Sequence, residues 1–235
     1  MGLRAAAPLA RAAAGGGMIQ LETIMDEFLP RFLSGMTVNF EIAAIALAVG
    51  LGLGLLLALA RLGPGAVRAP AILLLGVMRA APTFVVMFFL LNAIPREAVL
   101  FGVNVSPSGV MTVALSLVPY SAAYIADNGV EALRRFRAGS RLGALLFLPN
   151  VTRVFFVLVM SSSTGAAIGV HEGIAVILQF ADRMPHLGDK LVLFGIGVLC
   201  FGAVLQGGFA LINLLHRHLG RRVAAGLAAA QTPKG

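Results

Sequence analysis

Apolar residues in this chain fall into five long blocks, separated by short connectors rich in Gly, Pro or charge. The clearest block, residues 42–60, reads IAAIALAVGLGLGLLLALA and holds 19 residues without a charge. A helix of that length rises about 28 Å, enough to cross the ~30 Å hydrocarbon core of a bilayer. Similar blocks predict spans at about 71–94, 109–126, 142–170 and 191–215, hence an all-α membrane protein with about five transmembrane helices. Gly50, Gly52 and Gly54 in the first span would allow close helix packing. The connector RLGPGAVRAP breaks that helix with Gly and Pro. Two later spans are interrupted: the second by Arg79 and Pro82, the fourth by Pro149, Arg153 and the hydroxyl run Ser161, Ser162, Ser163 and Thr164. A short amphipathic stretch and the polar connector DRMPHLGDK precede the fifth.

The flanks read differently. Residues 1–17 are Ala/Gly-rich, contain two arginines and lack the continuous apolar core of a signal peptide, so they are expected to be disordered or to lie before a true start at Met18. Residues from 18 form an amphipathic lead-in to the first span. The membrane domain is expected over 18–216, and a polar cytoplasmic tail over 217–235.

Composition narrows the class. Hydrophobic residues make up 59% of the chain and charged residues 12%, with a mean hydropathy of +0.93, so there is too little polar surface to cover a water-soluble globule. The net charge of +8 comes from dispersed basic residues without an aromatic-interleaved stripe, which argues against nucleic-acid binding. The lone Cys200, inside an apolar run, is expected to fill space. His171, His186, His216 and His218 do not form a metal set, and no G-x-x-x-x-G-K-[ST] phosphate loop occurs, so neither a metal nor another cofactor is expected.

Charge also orients the spans. Connectors after spans one, three and five hold ten Lys and Arg (Arg61, Arg68, Arg134, Arg135, Arg137, Arg141, Arg217, Arg221, Arg222 and Lys234), against six on the other side (Arg96, Arg183, Lys190, Arg31, Arg4 and Arg11). The positive-inside rule then places the N-terminus outside and the C-terminus in the cytoplasm, as an odd number of spans requires.

Arg79 and Arg153 stand out because a charge at membrane depth costs about 3 kcal/mol or more on insertion scales. Each would mark a solute path or a partner, or else snorkel to a nearby interface. An ion pair within one subunit would need Glu41 or Asp127 as its acid. The hydroxyls of 161–164 would serve a substrate, or bond the preceding turn or a neighbouring helix. Glu131, Arg134, Arg135 and Arg137 form a cytoplasmic patch that would dock a partner or touch anionic lipid.

Three stretches resemble one family. S-G-M-T-V-N-F-E at 34–41, with the Gly/Leu-rich span and A-L-A-R-L after it, is similar to the opening helix of ABC importer permeases of the polar amino-acid group. M-R-A-A-P-T-F at 78–84 is similar to their Arg-Gly-Thr-Pro segment. S-L-V-P-Y-S-A-A-Y-I-A at 116–126 and I-G-V-H-E at 168–172 are similar to their Ser-Ala-Ala-Tyr core and Ile-Gly-Val-Pro-Glu. The resemblance follows the family's order over most of residues 34–216. It implies a type I ABC importer permease fold in a bacterial inner membrane. Its partners would be a cytoplasmic ATP-binding subunit, a second permease subunit, identical or related, and a periplasmic solute-binding protein. It also implies that Glu131, Ala132, Arg134, Arg135, Arg137 and Gly139 belong to the loop that couples to the ATPase, with Leu148 and Pro149 following. Arg79, Pro82, Arg153 and Ser161 to Thr164 would lie along the path of a polar amino acid or similar solute.

The chain departs from the family in two places. The region between Tyr124 and Pro149 is shorter than the usual pattern, and the fourth span is shortened by roughly two helical turns between Arg153 and Met160. Two other readings follow: a scaffold-only permease paralogue, or a small secondary transporter, for which internal repeats would be expected.

Overall fold

A computed structural model describes residues 6–94, 99–100, 103–104, 106–140 and 147–230, with side chains placed for 26–94, 106–140, 147–212 and 214. The protein is all-α apart from one short pairing of β1 (Val99–Leu100) with β2 (Val103–Asn104). Among the described residues four helices are long and apolar enough to cross a membrane, and a bent helix pair supplies a fifth candidate.

The first helix, α1 (Ala6–Arg61), is longer than the apolar block predicts. Its N-terminal extension takes in the amphipathic lead-in and most of the Ala/Gly-rich segment 1–17, in keeping with the helix propensity of alanine. Its membrane-competent part, Asp26–Arg61, is 36 residues long. Phe28, Phe32, Met36, Asn39, Ala43, Ala46, Gly50, Gly54 and Ala58 recur every three or four residues and are all buried, a continuous stripe facing the core.

That stripe packs on α4 (Gly109–Arg137), which Ser108 caps by accepting a hydrogen bond from Met111 N at 3.2 Å. Contact is closest where α1 has no side chains. A Cβ on Gly50 would sit 2.1 Å from Ser121 Oγ, and one on Gly54 would sit 2.7 Å from the carbonyl oxygen of Ala122. Ala58 continues the row against Gly129. Gly52, on the other face, meets nothing within 4 Å.

The interrupted stretch 71–94 is built as α2 (Gly65–Ala80) and α3 (Thr83–Ala93), bent by 98° at the break. The bend has a simple cause. Pro82 carries no N–H, and its ring disfavours helical dihedrals at Ala81, which is extended at φ −76° and ψ 110°. Helix α2 buries only Ala71 and Leu75, and these share a small apolar cluster with Leu57 of α1 and Ala123 and Ala126 of α4.

After Arg137 the chain turns at Gly139 (φ 83°), where Gly139 N bonds Phe136 O and Ser140 N bonds Arg135 O. Helix α5 (Phe147–Ser161) runs into a 3-10 segment, Ser162–Ile168, so the predicted span 142–170 is only partly α-helical; residues 141–146 lie outside the described residues. Helix α6 (Gly173–Asp182) follows, then α7 (Leu187–Ala230), whose membrane-competent part is Leu187–Ile212. Phe180 of α6 meets Phe28 edge-on at 5.5 Å between ring centroids, and Phe201 of α7 meets Phe32 at 6.5 Å. The lead-in to span one is therefore part of the packed core.

Gly54→Ala is expected to destabilise the protein by about 1–3 kcal/mol through overpacking against the α4 backbone, while Gly52→Ala should change stability by less than about 0.5 kcal/mol. Unfolding of the purified variants in mixed micelles checks both.

Candidate functional site

Arg79 stands at the corner between α2 and α3, not inside a continuous span. Its guanidinium grips Asp127 of α4 with two nitrogens, Nη2 to Oδ1 at 2.6 Å and Nε to Oδ2 at 3.3 Å. Arg61, the last residue of α1, donates Nη1 to the same Oδ1 at 2.6 Å. One carboxylate thus joins the ends of α1 and α2 to α4. The three side chains are 28% to 46% exposed, so the triad sits at an edge of the helix packing. Of the two acids the sequence offers as ion-pair partners, Asp127 takes the role.

Beside the triad lies a cavity of about 360 Å³. Arg79, Pro82 and Thr83 wall it on one side, Tyr120, Tyr124 and Asp127 on the other. The two tyrosine rings, one helical turn apart on α4, lie 6.3 Å between centroids. Arg79 and Pro82, both expected on a solute path, therefore do line one space. Arg153 does not join them: it is exposed on α5.

The hydroxyl run lies elsewhere and does other work. Ser162 is fully buried; its Oγ donates to Val159 O at 2.7 Å and accepts from Asn39 Nδ2 at 2.8 Å. Asn39 Nδ2 also donates to Glu172 Oε2 at 2.9 Å, while Asn39 Oδ1 accepts from Gly173 N at 2.9 Å. Glu172 caps α6, accepting from Ile174 N at 2.9 Å and Ala175 N at 3.0 Å. Burial pushes the Glu172 carboxyl above the usual carboxylate range, against the pull of the N–H groups of Ile174, Asn39 and Ala175. The network pins α1, the 3-10 segment and α6 together. Ser161 and Ser163 are half-buried at its margin, and the buried Thr164 Oγ1 has no partner among the described residues.

Neither Asn39 nor Glu172 stands out as a functional candidate from sequence, although each leaves a trace. Asn39 is a lone amide on an apolar stripe, and Glu172 is an acid just before an apolar run, a helix-start pattern.

The predicted coupling loop is largely helix. Glu131, Ala132, Arg134, Arg135 and Arg137 continue α4 past the triad, and Gly139 ends it. Arg135 Nε donates to Glu131 Oε1 at 2.9 Å, and these two, with Asn128 and Ala132, line a crevice of about 80 Å³ closed by Phe147 and Asn150 of α5. Arg134, Phe136 and Arg137 are exposed.

No family model and no curated protein sequence matches this chain. One solved structure, described as the crystal structure of an amino acid ABC transporter with histidines, superposes on it with a TM-score of 0.56 at 18% identity, covering 77% of this chain and 94% of that chain. The chain has an all-α ABC permease fold. Within that fold the triad joins the ends of α1 and α2 to the flank of α4, and the Glu172 network joins the start of α6 to the middle of α1.

Two outcomes follow. Asp127→Asn leaves two guanidiniums facing each other without their acid and should lower stability by about 1–2 kcal/mol, an effect that shrinks when Arg79 is also replaced. Glu172→Ala strands three N–H donors and should cost about 2–4 kcal/mol, with Asn39→Ala adding less than its single effect. A double-mutant cycle by thermal unfolding in detergent measures both couplings.

Proposed function

We propose that this chain is the membrane-spanning permease subunit of an ATP-driven importer that moves a polar amino acid or similar small solute by alternating access. The observation that carries the reading is the shared fold with a solved amino acid ABC transporter over nearly that chain's whole length. In this reading the protein sits in a bacterial inner membrane with its N-terminus outside. It pairs with a second permease subunit, identical or related, and receives solute from a periplasmic binding protein.

ATP is hydrolysed on a partner subunit, consistent with a sequence that has no P-loop motif. The docking end is the C-terminal part of α4 with its turn: Glu131, Ala132, Arg134, Arg135, Arg137 and Gly139. This is a helix tip with exposed cations and the exposed Phe136, 58% accessible, a combination suited to a groove lined by apolar and acidic groups. Arg79 and Pro82 line the solute's route at the elbow cavity, while Arg153 and the 161–164 hydroxyls stand apart from that cavity.

A second reading has its own support. The region between Tyr124 and Pro149, shorter than the usual permease pattern, favours a scaffold-only paralogue, which assembles with a competent sister permease but transmits no stroke itself.

Deleting residues 131–141, or reversing Arg134, Arg135 and Arg137 to Glu, should abolish co-purification with the ATPase and solute uptake into proteoliposomes. Retention of the ATPase by both variants would overturn the assignment of the docking end. Co-purification by the unaltered chain without uptake would favour the scaffold.

A further inference from the structure

The elbow cavity has two chemically distinct ends, and its charge does not balance. Two guanidiniums share the single Asp127 carboxylate, so the triad keeps one unit of positive charge. Each guanidinium carries about five N–H donors. Only Nε and Nη2 of Arg79 and Nη1 of Arg61 are engaged with Asp127, which leaves outward-facing donors on side chains 46% and 28% exposed. Tyr120 and Tyr124 make the opposite wall, the residue type that settles at the level of lipid headgroups.

Past Thr83, the surface turns apolar. Phe84, Val85 and Phe88 of α3 are 49%, 62% and 44% exposed, and the Phe84 and Phe88 rings stack at 6.5 Å between centroids. A recess with spare cationic donors is therefore followed along α3 by an exposed apolar strip. A free polar solute would match the recess and leave the strip unused. An amphiphile with an anionic head matches both.

We propose that the elbow cavity binds an anionic phospholipid, its phosphate against Arg79 and an acyl chain along Phe84 and Phe88. Guanidinium suits the phosphate because its fork of N–H donors forms charge-assisted hydrogen bonds with two oxygens at once. The lipid would brace α2 against α4 at the point where the chain bends. This site needs neither ATPase nor solute; if it holds lipid, the permease reading keeps its fold and docking end but loses Arg79 and Pro82 as solute-path residues.

The test is native mass spectrometry of the purified full chain in detergent. It is titrated separately with phosphatidylglycerol, with phosphatidylcholine of the same acyl chains, with glycerol phosphate and with free histidine. The expected result is a preference of at least about tenfold for phosphatidylglycerol over phosphatidylcholine. Arg79→Gln should erase that preference. Ala81→Leu, at a site whose extended dihedrals accept a larger side chain, narrows the cavity while keeping the triad, and should weaken phosphatidylglycerol binding at least about fivefold. Ala81→Leu decides the matter if Arg79→Gln fails to fold. Equal binding of the two lipids, or phosphatidylglycerol binding undiminished by Ala81→Leu, would overturn the proposal. So would histidine or glycerol phosphate binding as tightly as phosphatidylglycerol, which would make the cavity a site for a soluble ligand.

Discussion

The close crossing of α1 and α4 is the constraint on which the rest of the fold depends. Lipid tails are as apolar as a leucine side chain, so helices in a bilayer gain little by hiding apolar surface from each other and must gain it through close packing. Gly50, Gly54 and Ala58 supply that closeness on α1, with Ser121, Ala122 and Gly129 opposite. Both helices' remaining contacts follow from this crossing: Leu57 and Ala126 meet the short α2, and the stripe toward Phe28 is left facing α6 and α7.

Polar groups then fasten what the crossing aligns. Each joins a helix end or break to the flank of a neighbouring helix, because an unpaired charge or N–H in an apolar setting is costly. Asp127 ties the ends of α1 and α2 to α4, and Glu172 satisfies the first turn of α6 while holding Asn39. Gly35 permits the second joint, since a Cβ there would sit 2.9 Å from the backbone of Glu172. Two carboxylates, one at the C-terminal end of α1 and one near its middle, thus serve as clamps.

How much of this was legible in the sequence depends on the range of the signal. The spans were visible because an apolar run of bilayer length is a local property, as at residues 42–60. Which glycines matter was not, since Gly50, Gly52 and Gly54 look alike in a string and only the partner helix distinguishes the buried pair from the exposed one. Pro82 was noticed as an interruption, but its consequence, a 98° bend, needed Asp127 on a distant helix to hold Arg79 at the corner. The serines drew attention as a polar run, whereas Ser162 turned out to answer Asn39, 123 positions earlier. Pairings over such separations leave no periodic trace.

The length of α1 gives the crossing a mechanical meaning. From Gly50 to Phe28 is 22 residues, about 33 Å of uninterrupted helix, longer than the hydrocarbon core is thick. If α1 rocks on α4 at the glycines, a tilt of about 10° sweeps its aromatic end through roughly 6 Å, by simple trigonometry on that length. Phe28 and Phe32 are seated against Phe180 and Phe201, so α6 and α7 must travel with it or part from it. In such a motion the glycine crossing would be the fulcrum, and the side of the membrane opposite Asp127 would move farthest.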